Sequence, residues 1–288
     1  MENFANFIVN YIQNKEIHGV KGWLNQLQAY QWDTKSGMER YPDAILTTKK
    51  YYNESKNILN THNNSKIWHR HCEEIRKWGG MIYEVTPPLA LDFKKSVIFL
   101  STYNPATNCL FSSIPIYGKR IATASKIYYY SDPLRWTIYD SRVGFALHQL
   151  IFEYAKEKEV EPSSLFQEIL LCLPDSQTLL SNSKIKKREP IYSIQLCGSE
   201  KSSIASFIWT SHLHRTIARK INDTTIQKPS HYLSKIPQWE LPHIEMVFFV
   251  IGDRKWIDAP NLLDQEIPHR NLEKEVIMLG CVRRVGIK

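Results

Sequence analysis

At 288 residues, 43% of them apolar and 12% aromatic, the chain can bury a sizeable core of one or two domains, which sets aside a disordered or fibrous protein. No run of about 18 apolar residues occurs, so no membrane-spanning helix is expected. The formal charge of +8 (37 basic against 29 acidic residues) suits a polyanionic partner, because phosphate contacts release counterions; many soluble proteins are equally basic without one.

The first 16 residues are amphipathic and carry acids early, unlike the basic-then-apolar layout of a secretory signal, which points to a cytoplasmic protein. Phe4, Phe7, Ile8 and Tyr11 share helical spacing, and residues 1 to 30 read as one or two helices. Tyr41-Pro42-Asp43 marks a boundary before a helix over Ala44 to Leu59. Ile67, Trp68, Cys72, Ile75 and Trp78 form the next helix, stopped by Gly79-Gly80. Pro87-Pro88 reads as a further break, and the apolar run Lys95 to Thr102 as a candidate strand.

The most informative stretch is Ile114 to Ala146. Ile114-Pro115 leads to a turn at Tyr117-Gly118, where glycine can adopt a positive φ. A helical run with Ala122, Ala124 and Lys126 follows, and Ser131-Asp132-Pro133 interrupts it. A second helix starts near Asp140, whose carboxylate can cap the free amides of its first turn; Val143, Leu147, Leu150, Ile151 and Tyr154 form its apolar stripe.

Further on, Ser164 to Leu173 reads as a short helix, and Leu179 to Pro190 as a surface loop bearing Lys184, Lys186, Lys187 and Arg188. Ile191 to Cys197 alternates like a strand. Ser202 to Ile221 and Pro242 to Ile251 read as helices, the second stopped by Gly252. Arg283, Arg284 and Lys288 make the tail basic. Five scattered cysteines offer neither metal-site spacing nor an even disulfide set. His69 with His71, and His212 with His214, are i, i+2 pairs that diverge on a helix, so no metal or cofactor is expected.

In its central stretch the chain resembles the helix-hairpin-helix DNA glycosylases, the group that includes endonuclease III, MutY and 8-oxoguanine glycosylase. Their hairpin runs Leu-Pro-Gly-Val-Gly-x-Lys-x-Ala; here it reads Ile-Pro-Ile-Tyr-Gly-Lys-Arg-Ile-Ala over Ile114 to Ala122. Ile138-Tyr139-Asp140 then stands where the family has an apolar residue and an aspartate before a new helix. Ile116 replaces the first hairpin glycine, and Arg120 stands where lyase-competent members carry their Schiff-base lysine. Only Cys281 lies near the C terminus, so the iron–sulfur loop of some relatives is not expected.

The resemblance implies a mainly α, two-lobed fold with a small β element. Its central lobe would cover residues 40–139, and the second lobe residues 1–39 and 140–288. It implies base excision from DNA by a monofunctional glycosylase, with Asp140 stabilising the positive charge that develops on the sugar. A guanidinium stays protonated, so Arg120 cannot act as a lyase nucleophile. Gly118, Lys119, Arg120 and Lys126 would contact the DNA backbone. Tyr128, Tyr129, Tyr130, Trp136 and Tyr139 would place aromatic walls near the extruded base. Divergent relatives occur in bacterial anti-phage gene clusters. From the residues alone, Asp140 is equally well a plain helix cap and the hairpin a packing element. A catalytically silent module that binds nucleic acid or a protein partner therefore remains the alternative.

Overall fold

A computed structural model describes residues 1–34, 37–61, 64–81, 83–103, 116–160 and 200–253. The fold is mainly α, with nine helices and two small antiparallel hairpins among the described residues. Helix α1 (Glu2–Asn14) buries Phe4, Ile8 and Ile12. A two-residue ladder, β1 (Glu16–Ile17) with β2 (Val20–Lys21), then turns the chain through His18 and Gly19, both at positive φ. Helix α2 (Trp23–Gln28) follows, and β3 (Gln31–Thr34) pairs with β4 (Gly37–Arg40). Helices α3 (Asp43–Asn60), α4 (Ser65–Trp78), α5 (Pro87–Thr102) and α6 (Ile121–Ser131) pack on one another. Helix α7 (Ser141–Glu157) packs along α9 (Leu241–Asp253), while α8 (Glu200–Asn222) lies against α1 and α9.

Three expectations are corrected here. The run Lys95 to Thr102 is helical, as the second half of α5: Ala90, Phe93, Val97 and Leu100 recur at helical spacing and are all buried. Pro87-Pro88, read as a break, is the start of that helix, where the missing amide hydrogens cost nothing. Gly252 is not a helix stop, because α9 continues to Asp253. An ideal Cβ on Gly252 would lie 1.9 Å from the Arg142 carbonyl oxygen, so the glycine lets α9 meet the first turn of α7 backbone to backbone. The readings for Ser164 to Leu173, Leu179 to Pro190, Ile191 to Cys197 and the basic tail lie outside the described residues.

One connected apolar core runs through all nine helices, from Phe4 and Ile8 to Phe248 and Ile251. It absorbs the aromatics expected beside the site. Tyr128, Tyr129, Tyr130, Trp136 and Tyr139 are each no more than 2% exposed, so they are core side chains rather than a wall open to a base. Two of the polar tips are satisfied locally: the Tyr128 hydroxyl donates to the Tyr117 carbonyl (2.7 Å), and that of Tyr129 pairs with Thr48 Oγ1 (3.0 Å).

Candidate functional site

The segment leading to Asp140 is an extended strap held from two sides. Ser125 of α6 accepts the Tyr139 amide (3.0 Å). Ser211 of α8 accepts the Thr137 amide (3.2 Å), and Thr137 Oγ1 pairs with His214 Nδ1 (3.0 Å). Fixed in this way, Asp140 becomes the N-cap of α7. Its Oδ1 accepts the amides of Arg142 (3.0 Å) and Val143 (3.3 Å), two of the donors that a helix start leaves without intrahelical partners.

The other carboxylate oxygen faces two cations. Lys126 Nζ lies 3.5 Å and an Arg142 guanidinium nitrogen 3.8 Å from Oδ2. Burial opposes the Asp140 charge, but Lys126, Arg142 and the two amides together hold its carboxyl below the usual aspartate value. The carboxylate is therefore ionised at neutral pH although the residue is only 6% exposed.

Lys126 reaches this position because Gly79, which ends α4, has no side chain. An ideal Cβ there would lie 2.8 Å from Lys126 Cδ. The ammonium also donates to the Ala122 carbonyl (3.1 Å). The Arg142 guanidinium lies over Phe249 (4.5 Å to the ring centroid) and Trp32 (4.9 Å), a cation–π stack at the edge of the cluster. Its side chain is 32% exposed and brings the cluster into contact with solvent.

Glu245 of α9 completes the group. It is 3% exposed and forms no hydrogen bond or ion pair among the described residues. Burial first, and the Asp140 charge second, push its carboxyl well above the usual value, against the pull of Lys126 and Arg142. The two carboxyls are thus pushed in opposite directions by their surroundings, Asp140 toward the ionised form and Glu245 toward the protonated one. Glu245 was missed by the sequence reading. Its signal was a lone acid in the otherwise apolar run Ile244 to Ile251.

The residues expected to grip DNA separate into two sets. Lys119 and Arg120 are exposed, and the Arg120 guanidinium lies 4.1 Å over the ring of Tyr83. Arg120 also carries the left-handed conformation of this turn (φ 56°), which the sequence reading gave to Gly118. Gly118 itself is buried. Lys126 is turned inward, 4% exposed and committed to Asp140 and Ala122, so it is a partner of the carboxylate rather than a surface cation.

Comparison with family models, curated proteins and solved structures found no match for this chain. Its class is therefore defined by its own structure: a mainly α protein with a charged cluster buried where α6, α7 and α9 meet.

Proposed function

We propose that the chain is a divergent monofunctional DNA glycosylase of the helix-hairpin-helix type, cleaving the N-glycosidic bond of an extruded base. The observation that supports it is an ionised Asp140 carboxylate at a helix N terminus, joined through Lys126 to the helix that follows the hairpin. Such a carboxylate can stabilise the cationic sugar of the transition state without first losing a proton. Lys119 and Arg120 then supply phosphate contacts on the outer face. With arginine in place of the Schiff-base lysine, the product is an intact abasic site.

The second reading is a silent module that binds nucleic acid or protein. It is favoured by the saturation of Asp140, whose two oxygens already meet two amides and two cations. Base release from a panel of damaged and mismatched duplexes separates the two readings. An active enzyme releases a base and leaves sites cut only by alkali, with no borohydride-trapped adduct, and Asp140→Asn lowers release by orders of magnitude. Wild-type protein that binds DNA but releases nothing is the silent module. Absence of DNA and RNA binding at low salt removes the nucleic-acid role altogether.

A further inference from the structure

Away from the buried cluster, α3 and α4 bring Glu54, His71 and Glu74 together. One candidate ligand atom from each lies within 4.8 Å of the others. We propose that these three residues form a binding site for a single divalent transition-metal ion of the zinc class, clamping α3 to α4.

Several independent features suit an ion here. His71 is buried, and its Nε2 is engaged from behind by Ser55 Oγ at 2.7 Å. That contact fixes the ring with Nδ1 toward the carboxylates, as outer hydrogen bonds do for metal-bound imidazoles. Nδ1 lies 3.6 Å from Glu54 Oε2, too far for a hydrogen bond but close to the separation of two ligands around a shared ion. Bonds of about 2.0–2.2 Å from a tetrahedral ion place donors roughly 3.5 Å apart. Glu74, one turn beyond His71 and exposed, can close the remaining gap by a side-chain rotation.

The charge count agrees. Among the described residues no lysine or arginine pairs with Glu54 or Glu74, so two carboxylates and a neutral imidazole leave a charge that one divalent cation balances. Lys50, one helical turn before Glu54 on α3, lies over the Tyr51 ring. Burial lowers the His71 pKa to about 4, so the ring stays neutral and ligand-competent at physiological pH. A nitrogen ligand with two carboxylates favours zinc, cobalt or manganese over magnesium and calcium, which prefer all-oxygen sites. Three protein ligands leave room for water on the ion.

The test uses the tag-free full chain, stripped with chelator and titrated with Zn²⁺ by calorimetry and with Co²⁺ by visible absorption. The expected result is one equivalent bound. The Co²⁺ spectrum should show ligand-field bands without the intense thiolate charge-transfer band that Cys72 or another cysteine would give. Thermal unfolding should rise by about 5–10 °C at a hundredfold excess of Zn²⁺ over Kd. Glu54→Gln and Glu74→Gln both alter partly or fully exposed side chains, so the fold should survive, as circular dichroism would verify. Each should weaken binding by at least about tenfold, the scale of a disturbed metal site. Ser55→Ala, which touches no ion, should weaken it less. No stoichiometric binding, a thiolate band, or binding unchanged in both glutamine variants overturns the proposal.

Discussion

Two of the titratable clusters among the described residues differ in whether the protein itself supplies the counter-charge. The Asp140 cluster is buried and carries its own cations. Lys126 and Arg142 face one carboxylate, while burial and the Asp140 charge push the second acid, Glu245, toward its protonated form. The cluster on α3 and α4 gathers two carboxylates around a neutral imidazole with no protein cation among the described residues. Burial explains the difference. A charge deep in the core has to bring its counterion with it, whereas a charge at the surface can take one from solution. The first cluster is thus electrostatically closed, and the proposed glycosylase reaction would require Asp140 to exchange Lys126 or Arg142 for a substrate. The second is open by construction.

The largest expected effect comes from unbalancing the closed cluster. Asp140→Asn keeps the helix cap, since asparagine and aspartate cap about equally well, but removes the counter-charge from a buried lysine. Breaking a buried pair in this way typically costs about 3–5 kcal/mol. Here Glu245 offers a second counterion. Its proton is held partly by repulsion from Asp140, so with that charge gone Glu245 can ionise and take over. Denaturant unfolding should therefore show a loss at the low end of that range for Asp140→Asn. Combining it with Glu245→Gln should cost more than the sum of the single changes. Simple additivity would show that Glu245 does not share the cations.

A comparable loss is expected from the contact that builds the cluster. Gly252→Ala places a methyl group against the Arg142 backbone, where no side chain can rotate away, and should cost about 3 kcal/mol or more. Gly79→Ala meets chiefly the flexible Lys126 chain, with the Ile75 carbonyl oxygen at 3.3 Å, and should be milder, with the Lys126–Asp140 pair lengthened. Equal effects would mean that α7 and α9 can slide.

Acid separates the clusters by another route. Burial lowers His71 and His243 to about 4 and His214 to about 3, from an ordinary value of 6.5. Below that ordinary value the unfolded chain takes up protons that the folded chain refuses. Stability is therefore full above it and falls as pH drops toward 4. Glu245 acts in the opposite sense: its raised value makes ionisation costly as pH rises, so Glu245→Gln should raise thermal stability at pH 8 and converge with wild type in acid. In the presence of Zn²⁺ the fall at acid pH should steepen, because protonation and metal compete for His71. Unfolding temperature measured from pH 8 to 4 with and without zinc checks all three.

Much of the helical framework was legible in the sequence, because apolar spacing, caps and breakers are local. Asp140 as the cap of α7, Gly79-Gly80 ending α4 and the stripe from Val143 to Tyr154 all follow from a few consecutive residues. What the sequence did not carry was pairing across distance. Nothing near Lys126 says that Gly79 leaves it a channel to Asp140, or that Glu245, more than a hundred residues away, joins them. The histidine pairs illustrate the same limit. His69 and His71 diverge, and Glu54 joins His71 only because α3 packs on α4. Gly252 resembled a stop because a glycine near a helix end usually is one. Its purpose, a close backbone approach, exists only once α7 is in place.

The smallest effect on stability, and the clearest on binding, is expected at the surface of the hairpin. Lys119 and Arg120 are exposed, and the stack of Arg120 on Tyr83 is worth about 0.5–1 kcal/mol at such a site. Arg120 also occupies the left-handed region, which costs a non-glycine residue about 1–2 kcal/mol. In Arg120→Gly the loss of the stack and the relief of the backbone oppose each other, so stability should change by less than about 1 kcal/mol in either direction. Lys119→Gln should be neutral within about 0.5 kcal/mol. If the hairpin grips phosphates, each change should weaken DNA binding uniformly across sequences. Each should also make the logarithmic salt dependence shallower by about 0.9, one released counterion. Lys126→Gln gives the contrast. Its ammonium is buried against Asp140, so it should destabilise the fold and leave the salt slope unchanged. A salt slope that responds to Lys126 but not to Lys119 or Arg120 would place the DNA at the buried cluster, and would identify Lys126 as the cation that Asp140 gives up to the substrate.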